Sequence, residues 1–197
     1  MSEKPRERVI VGITGASGAV YGLRCLDLLR EAGVETHLVV SRAGELTLRH
    51  EAGLGLADMK ARCDHLHRIG NVGASIASGS FRVRGMIVAP CSIRTLSEIA
   101  SGITSSLLTR AADVMLKERR PLVLMVRESP LHLGHIRSMA AAAEIGAIIA
   151  PPMPAFYTAP RSIEDLVDHS VSRSLGLLGL DDIAVKSWTG LGDRAGD

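Results

Sequence analysis

The sequence predicts an α/β fold in which a parallel sheet is covered by helices on both faces. Short apolar runs, among them Val9 to Ile13, Leu122 to Val126 and Ala147 to Ala150, alternate with longer segments that carry helical apolar spacing. No pair of runs is joined by a hairpin signal, so each strand has to return through a crossover. The chain has 197 residues, enough to bury one ordinary core and too few for two. A single domain over 1–197 is expected, with its core at about 8–180.

The first strand, Arg8 to Thr14, is rich in β-branched residues and enters Gly15-Ala16-Ser17-Gly18 directly. Such a turn leaves unpaired N–H groups and a positive dipole end, where a nucleotide or flavin can approach the backbone; a tight turn without a ligand is the plainer reading. Leu23, Leu26 and Leu29 mark a helix from Ala19 to Ala32, ended by Gly33. Thr36 to Val40 is a second strand stopping at Ser41, and Gly44 to His50 is a short helix ending near Glu51. The stretch from His65 to Arg82 has weak periodicity and reads as a loop over the strand ends. Met86 to Ala89 is a third strand, and Pro90 to Thr95 turns into a helix beginning near Thr95. A helix over Leu107 to Glu118, a strand over Leu122 to Val126, an Ala-rich helix over Gly134 to Ile145 and a fifth strand over Ala147 to Ala150 continue the alternation. Pro151-Pro152-Met153-Pro154 forces an extended segment. Ser162 followed by Asp165 resembles a capping box opening a last helix through Leu178. Lys186 to Asp197 reads as a loose tail.

Composition narrows the function classes. Lys plus Arg number 23 against 21 Asp plus Glu, a net charge of +2, and aromatic residues are 3% of the chain. Neither a basic field nor a set of stacking platforms is present, so nucleic acid is not an expected partner. Cys25, Cys63 and Cys91 are odd in number and far apart, which supports neither a disulfide framework nor a CxxC metal site and fits a reducing cytoplasm. Met1 to Glu7 is charged and leads into a strand, so neither a signal peptide nor a membrane span is expected. His65 alternates with His67, and His132 and His135 have helical spacing, but neither pair has a third ligand nearby in sequence and no metal is expected. Gly-Ala-Ser-Gly is not the dinucleotide fingerprint, a P-loop or a serine-hydrolase elbow.

The strand ends supply Ser17, Ser41 and Ser92 with Thr95, hydroxyls and helix starts suited to a phosphate monoester and a polar ring edge. Each serine alone is equally well explained as an N-cap, worth about 1 kcal/mol to its helix. Arg110 and Lys117 lie seven residues apart on one helix, two turns along the same face, and could converge on an anion. Arg127 and Glu128 follow the fourth strand, where a buried β core does not explain them. Tyr157 follows the proline run, and Arg173 lies on the last helix in phase with Leu166 and Ser170; rim packing and a surface cation are the plain readings of the two.

The segments GITGASGAVYG, VVSRAGELTLRHE, IASGSF, APCSIRTLSEIA, LLTRAADVMLKERRPLVLMVRESPLHLGH and PPMPAFYTAPRSIEDLV follow in this order. Together, from about Arg8 to Leu178, they resemble the flavin prenyltransferases of the UbiX type. The resemblance implies a three-layer, Rossmann-like domain of flavodoxin type. It further implies transfer of a dimethylallyl group, usually from dimethylallyl phosphate, to N5 and C6 of reduced FMN without a metal, and delivery of the prenylated FMN to a UbiD-type decarboxylase. Homododecamers with sites at subunit interfaces are implied as well. Carried over by residue, FMN contacts fall on Gly15, Ala16, Ser17, Ser41, Ser92, Ile93, Arg94, Thr95 and Arg127. Isoprenyl-phosphate contacts fall on Lys117, Tyr157 and Arg173, with Arg110 from a neighbouring subunit and Ser78 and Gly79 in the loop nearby. Glu128 and Ser17 match a pair that moves protons at flavin N5, and Glu51 matches a carboxylate that steadies a developing allyl cation. Asn71 and Ser105-Ser106 depart from the residues many relatives carry, Asp and Asp-Asn, and these departures bear on the local loop geometry and the subunit contact there.

Two other readings stand beside this one. FMN-dependent cysteine decarboxylases share the implied fold and a related Pro-x-Ser strand end, and His65 or His67 would have to serve as their active-site histidine. A non-catalytic flavin-binding subunit of a decarboxylase would have no use for a second phosphate site.

Overall fold

The computed structural model describes residues 6–180 and Ile183; the tail expected at Lys186 to Asp197 lies outside the described residues. Six parallel strands, β1 (Arg8–Ile13), β2 (Glu35–Val40), β3 (His65–His67), β4 (Gly85–Cys91), β5 (Leu122–Val126) and β6 (Ile148–Ile149), form one sheet in the order β3-β2-β1-β4-β5-β6. The helices are α1 (Ala19–Glu31), α2 (Arg42–Ala52), α3 (Leu56–Lys60), α4 (Ile93–Ala100), α5 (Leu107–Lys117), α6 (Leu133–Glu144) and α7 (Ile163–Gly176). Among the described residues, no helix is long and apolar enough to cross a membrane.

Strand alternation divides the interior into two cores. Val9, Val11 and Ile13 of β1 pack with Leu26 and Leu29 of α1 and Val171 and Leu175 of α7. Ile10 turns to the other face, where Ala111 and Met115 of α5 and Ala142 of α6 lie against Met86, Val88 and Leu124. Helices α1 and α7 therefore cover one face of the sheet, and α4, α5 and α6 the other. A fully buried side chain such as Leu26 contributes about 1.5–3 kcal/mol by leaving water.

The expected α/β alternation is present, with local differences. The stretch read as a loop from His65 to Arg82 contains the edge strand β3 and a 3-10 turn at Ser75–Ala77 that buries Ile76. Three polar-flanked residues carry too little periodicity to mark a strand; what holds β3 is its pairing with β2 and the Asp64 carboxylate, which accepts the Thr36 N–H at 2.8 Å and the Thr36 hydroxyl at 2.9 Å. Helix α4 begins at Ile93 rather than near Thr95, because Ser92 is its N-cap. Ser162 caps α7 by accepting the Asp165 N–H at 3.2 Å, but Asp165 returns its carboxylate to the Arg161 N–H at 2.8 Å, so the reciprocal half of the capping box is displaced by one residue.

Candidate active site

The strand order reverses between β1 and β4, which opens a crevice beyond their carboxyl ends. Thr14, fully buried, ties the two ends together: its hydroxyl donates to the Pro90 carbonyl at 2.7 Å and accepts the Ser92 N–H at 2.8 Å. Ser92 then caps α4, Ser41 caps α2 by accepting the Gly44 N–H at 3.0 Å, and Ser106 caps α5. Each cap stabilises its own helix. Their shared direction is the further observation, since the N-termini of α2, α4 and α5 all open on one cleft of about 480 Å³. Gly15 is required at its mouth, because a Cβ there would stand 2.3 Å from the Cβ of Ala43.

The cleft suits a phosphate-bearing flavin. Ser41, Ser92 and Thr95 offer hydroxyls beside positive helix ends, Arg94 offers a cation, and Ile69 and Leu108 give apolar wall. Arg94 is held by Glu98, whose carboxylate accepts Arg94 Nε at 3.0 Å and the Ser105 hydroxyl at 2.6 Å. Ala16 and Ile93 turn their side chains into the protein, so a ligand would meet their backbone.

The turn at Ser17 differs from the open anion site that its sequence suggests. The Glu51 carboxylate already occupies the helix start, accepting the Gly18 N–H at 3.0 Å and the Ala19 N–H at 2.8 Å. Partial burial pushes the Glu51 carboxyl up, but the Ala19 and Gly18 amides and the Ser17 hydroxyl outweigh it and hold the group below its ordinary value. From β5, Arg127 Nε donates to the Ser17 carbonyl at 3.2 Å. Glu128 follows and accepts the Ser129 N–H at 3.0 Å, with no hydrogen bond to Ser17 among the described residues. Ser17, Glu51 and Arg127 thus meet around one turn at the end of β1.

The candidate phosphate cations fall into two groups. Arg110 Nε donates to the Ala77 carbonyl at 3.3 Å, and Lys117 Nζ stands 3.0 Å from where a Cβ on Gly79 would lie, so Arg110, Lys117, Ser78 and Gly79 gather along α5. Lys117 also pairs with Glu118 at 2.7 Å. Tyr157 instead lies by α7, its hydroxyl 3.1 Å from His169 Nε2, with Arg173 exposed one turn further on. Helices α5 and α7 cover opposite faces of the sheet. Lys117 therefore belongs with Arg110 within one chain, not with Tyr157 and Arg173.

Thr14, Glu98 and His169 are polar partners that sequence reasoning missed; only Thr14, next to the Gly-Ala-Ser-Gly turn, carried a local signal. His65 and His67, which lack a third ligand in sequence, meet His37 and Glu35 across the β2–β3 pair. That cluster lies on the sheet edge and supplies no residue to the cleft wall. A larger cleft, about 520 Å³, lies between α1 and α7 around the Arg24–Asp168 ion pair. It includes His169, the partner of Tyr157, but none of the strand-end hydroxyls at Ser17, Ser41 or Ser92, so chemistry rather than volume identifies the flavin site.

Residues 1–174 match the Flavoprotein family. The flavin prenyltransferase UbiX of Thauera aromatica is 51% identical over 187 residues, covering 95% of this chain and 96% of the relative. The crystal structure of AnUbiX in complex with FMN and dimethylallyl pyrophosphate superposes with a TM-score of 0.92 at 48% identity, covering 95% of this chain and 100% of that one. A dodecameric FMN-dependent UbiX-like decarboxylase from Escherichia coli O157:H7 gives a TM-score of 0.88 at 45% identity, covering 93% and 100%. With half its residues shared along nearly its whole length, the chain belongs to the UbiX family of flavin prenyltransferases.

Proposed function

We propose that the chain is a flavin prenyltransferase that joins a dimethylallyl group, taken from dimethylallyl phosphate, to N5 and C6 of reduced FMN. The observation that carries this reading is the flavin-sized cleft at Ser41, Ser92 and Thr95 sharing the end of β1 with Ser17, Glu51 and Arg127, in a chain 51% identical to a flavin prenyltransferase. Gly15, Ala16, Ser17, Ser41, Ser92, Ile93, Arg94, Thr95 and Arg127 hold FMN, with the hydroxyls of Ser41, Ser92 and Thr95 on its phosphate. Reduced FMN supplies the nucleophilic N5 and then the ring carbon C6. Arg110, Lys117, Tyr157 and Arg173, with Ser78 and Gly79, bind the isoprenyl phosphate and take up negative charge as the allyl group departs. Glu51, kept ionised by its amide partners, steadies the positive charge left on the allyl group. Glu128 and Ser17 move the proton at N5, and the retained phosphate accepts the proton released from C6. The apolar wall keeps water from the cation. The fold acts as one domain, and the core chemistry calls for no metal.

The division of Arg110 and Lys117 from Tyr157 and Arg173 supports a site completed by a second copy of the chain. Apolar side chains left exposed on one chain, Leu133 and Ile136 on α6 and Phe156 and Ile163 near the start of α7, at 51–74% exposure, support the same conclusion. A homododecamer is the proposed assembly, like the UbiX-like dodecamer from Escherichia coli. The product passes to a UbiD-type decarboxylase in the cytoplasm, a location supported by the buried free thiols of Cys25 and Cys91.

The test is an anaerobic incubation with reduced FMN and either dimethylallyl phosphate or the diphosphate, followed by mass spectrometry. A flavin heavier by one isoprene unit with the monophosphate is expected; no adduct with either donor contradicts the reading. Rescue of a cofactor-free UbiD-type decarboxylase by the protein-free product separates the enzyme from a mere assembly subunit.

A further inference from the structure

We propose that Glu35, His37 and His65 form a second, non-flavin site on the β2–β3 sheet edge, which takes a divalent transition metal of the Zn²⁺ class. The parallel register pairs His37 with His65 and Val39 with His67. Because side chains alternate along a strand, Glu35 and His37 on β2 and His65 and His67 on β3 share one face. His37 Nε2 lies 3.1 Å from Glu35 Oε1, His65 Nε2 lies 3.3 Å from the same oxygen, and the three ligand atoms fall within 4.8 Å of one another. Bonds of about 2.0–2.1 Å in a tetrahedral site put neighbouring ligand atoms about 3.3–3.4 Å apart, so the His65–Glu35 spacing of 3.3 Å already matches and the His37–Glu35 spacing of 3.1 Å has only to open slightly.

The surroundings also fit. His37 Nδ1 stands 2.9 Å from His67 Nε2, a partner that can accept the Nδ1–H and leave the Nε2 lone pair to the metal. The metal form needs the protons of His37 and His65 on Nδ1, which frees both Nε2 lone pairs, and the proton of His67 on its own Nδ1, so that His67 Nε2 accepts from His37. Two imidazoles with one carboxylate favour Zn²⁺, Ni²⁺ or Co²⁺ over Mg²⁺ or Ca²⁺. His65 is 51% exposed, which admits the ion from solvent and leaves room for water ligands. One group opposes binding: Arg8 Nε also reaches Glu35 Oε1, at 3.1 Å, and its guanidinium rests on the Phe81 ring. The site lies below the flavin cleft, since His37 precedes Ser41 by four residues, about 13 Å along the strand. An ion bound there would add a cross-link to the three-residue strand β3, whose continuation reaches Ile69 and Gly70 in the cleft wall.

The test titrates Zn²⁺ alone into the chelator-treated full-length protein by calorimetry. One ion per chain is expected, lost in His65→Ala and in Glu35→Gln, about 10- to 100-fold weaker in His67→Ala, unchanged in His132→Ala and tighter in Arg8→Gln. Absence of saturable binding overturns the proposal, as does binding that survives His65→Ala and Glu35→Gln or disappears with His132→Ala. A readout that needs no variant is the imidazole nitrogen NMR spectrum. Zn²⁺ should move the resonances of His37 and His65, and shifts confined to His132 and His135 would overturn the assignment.

Discussion

The Glu51 carboxylate accepts the Ala19 N–H at 2.8 Å and so closes the N-terminus of α1 with a charge carried on α2. The anion that the Gly-Ala-Ser-Gly turn calls for is thus partly built into the protein, and the same charge is poised beside Ser17.

Replacing Glu51 by Gln removes the charge while keeping the shape. Loss of a negative charge at a helix start costs about 0.3–1 kcal/mol. Because the folded carboxyl is held below its ordinary 4.5, Glu51 adds stability above that pH and loses it as pH falls through the folded value. Denaturant melts of the two proteins should differ at pH 7, and the gap should close as the pH falls below 4.5 through the folded value; a constant gap would contradict the assignment.

Thr14→Val removes one hydroxyl that serves two partners. The Ser92 N–H and the Pro90 carbonyl lose bonds of 2.8 and 2.7 Å in a fully buried place, at a cost of about 1–3 kcal/mol. Since Ser92 heads α4, FMN affinity should fall as well. Unchanged FMN binding by fluorescence titration would show that Thr14 is structural only.

Glu128→Ala should slow prenylation by about 100-fold or more while FMN still binds, as expected of a proton-transfer group outside the phosphate cradle. Single-turnover rates with FMN occupancy measured on the same sample check this. If FMN binding is lost instead, the assigned role is wrong.

Gly15→Ala places a methyl against Ala43, where the spacing of 2.3 Å leaves no room. Overpacking of this kind costs about 1–3 kcal/mol, and the shift of α2 carries Ser41 with it. A lower melting temperature together with weaker FMN binding is expected.

Much of the fold was legible because its signals are local. Val9 to Ile13 running into Gly-Ala-Ser-Gly, and strands ending at Ser41 and Ser92, are patterns within a dozen residues, and the structure places each at the cleft. The UbiX resemblance supplied residue roles that spacing alone left open. What stayed hidden depends on contacts distant in sequence. Strand β3 exists through Asp64 and Thr36, 28 residues apart, and Glu51 reaches Ala19 across 32 residues. The pairing of Lys117 with Arg110 was legible as helical phase, but the separation of the two from Tyr157 follows from which face of the sheet each helix covers, and phase does not report that.

That separation gives the most direct test of a flavin prenylation site shared between copies. Lys117→Ala and Arg173→Ala should each lower activity by about 100-fold. Co-expressed in equal amounts they should assemble some sites with both residues intact, about a quarter if one copy supplies Lys117 and another Arg173. The measurement is prenylated FMN formed by the mixed oligomer, read by mass spectrometry. Recovery toward a quarter of the unsubstituted rate is the predicted result; a mixture no more active than either variant alone would contradict the account.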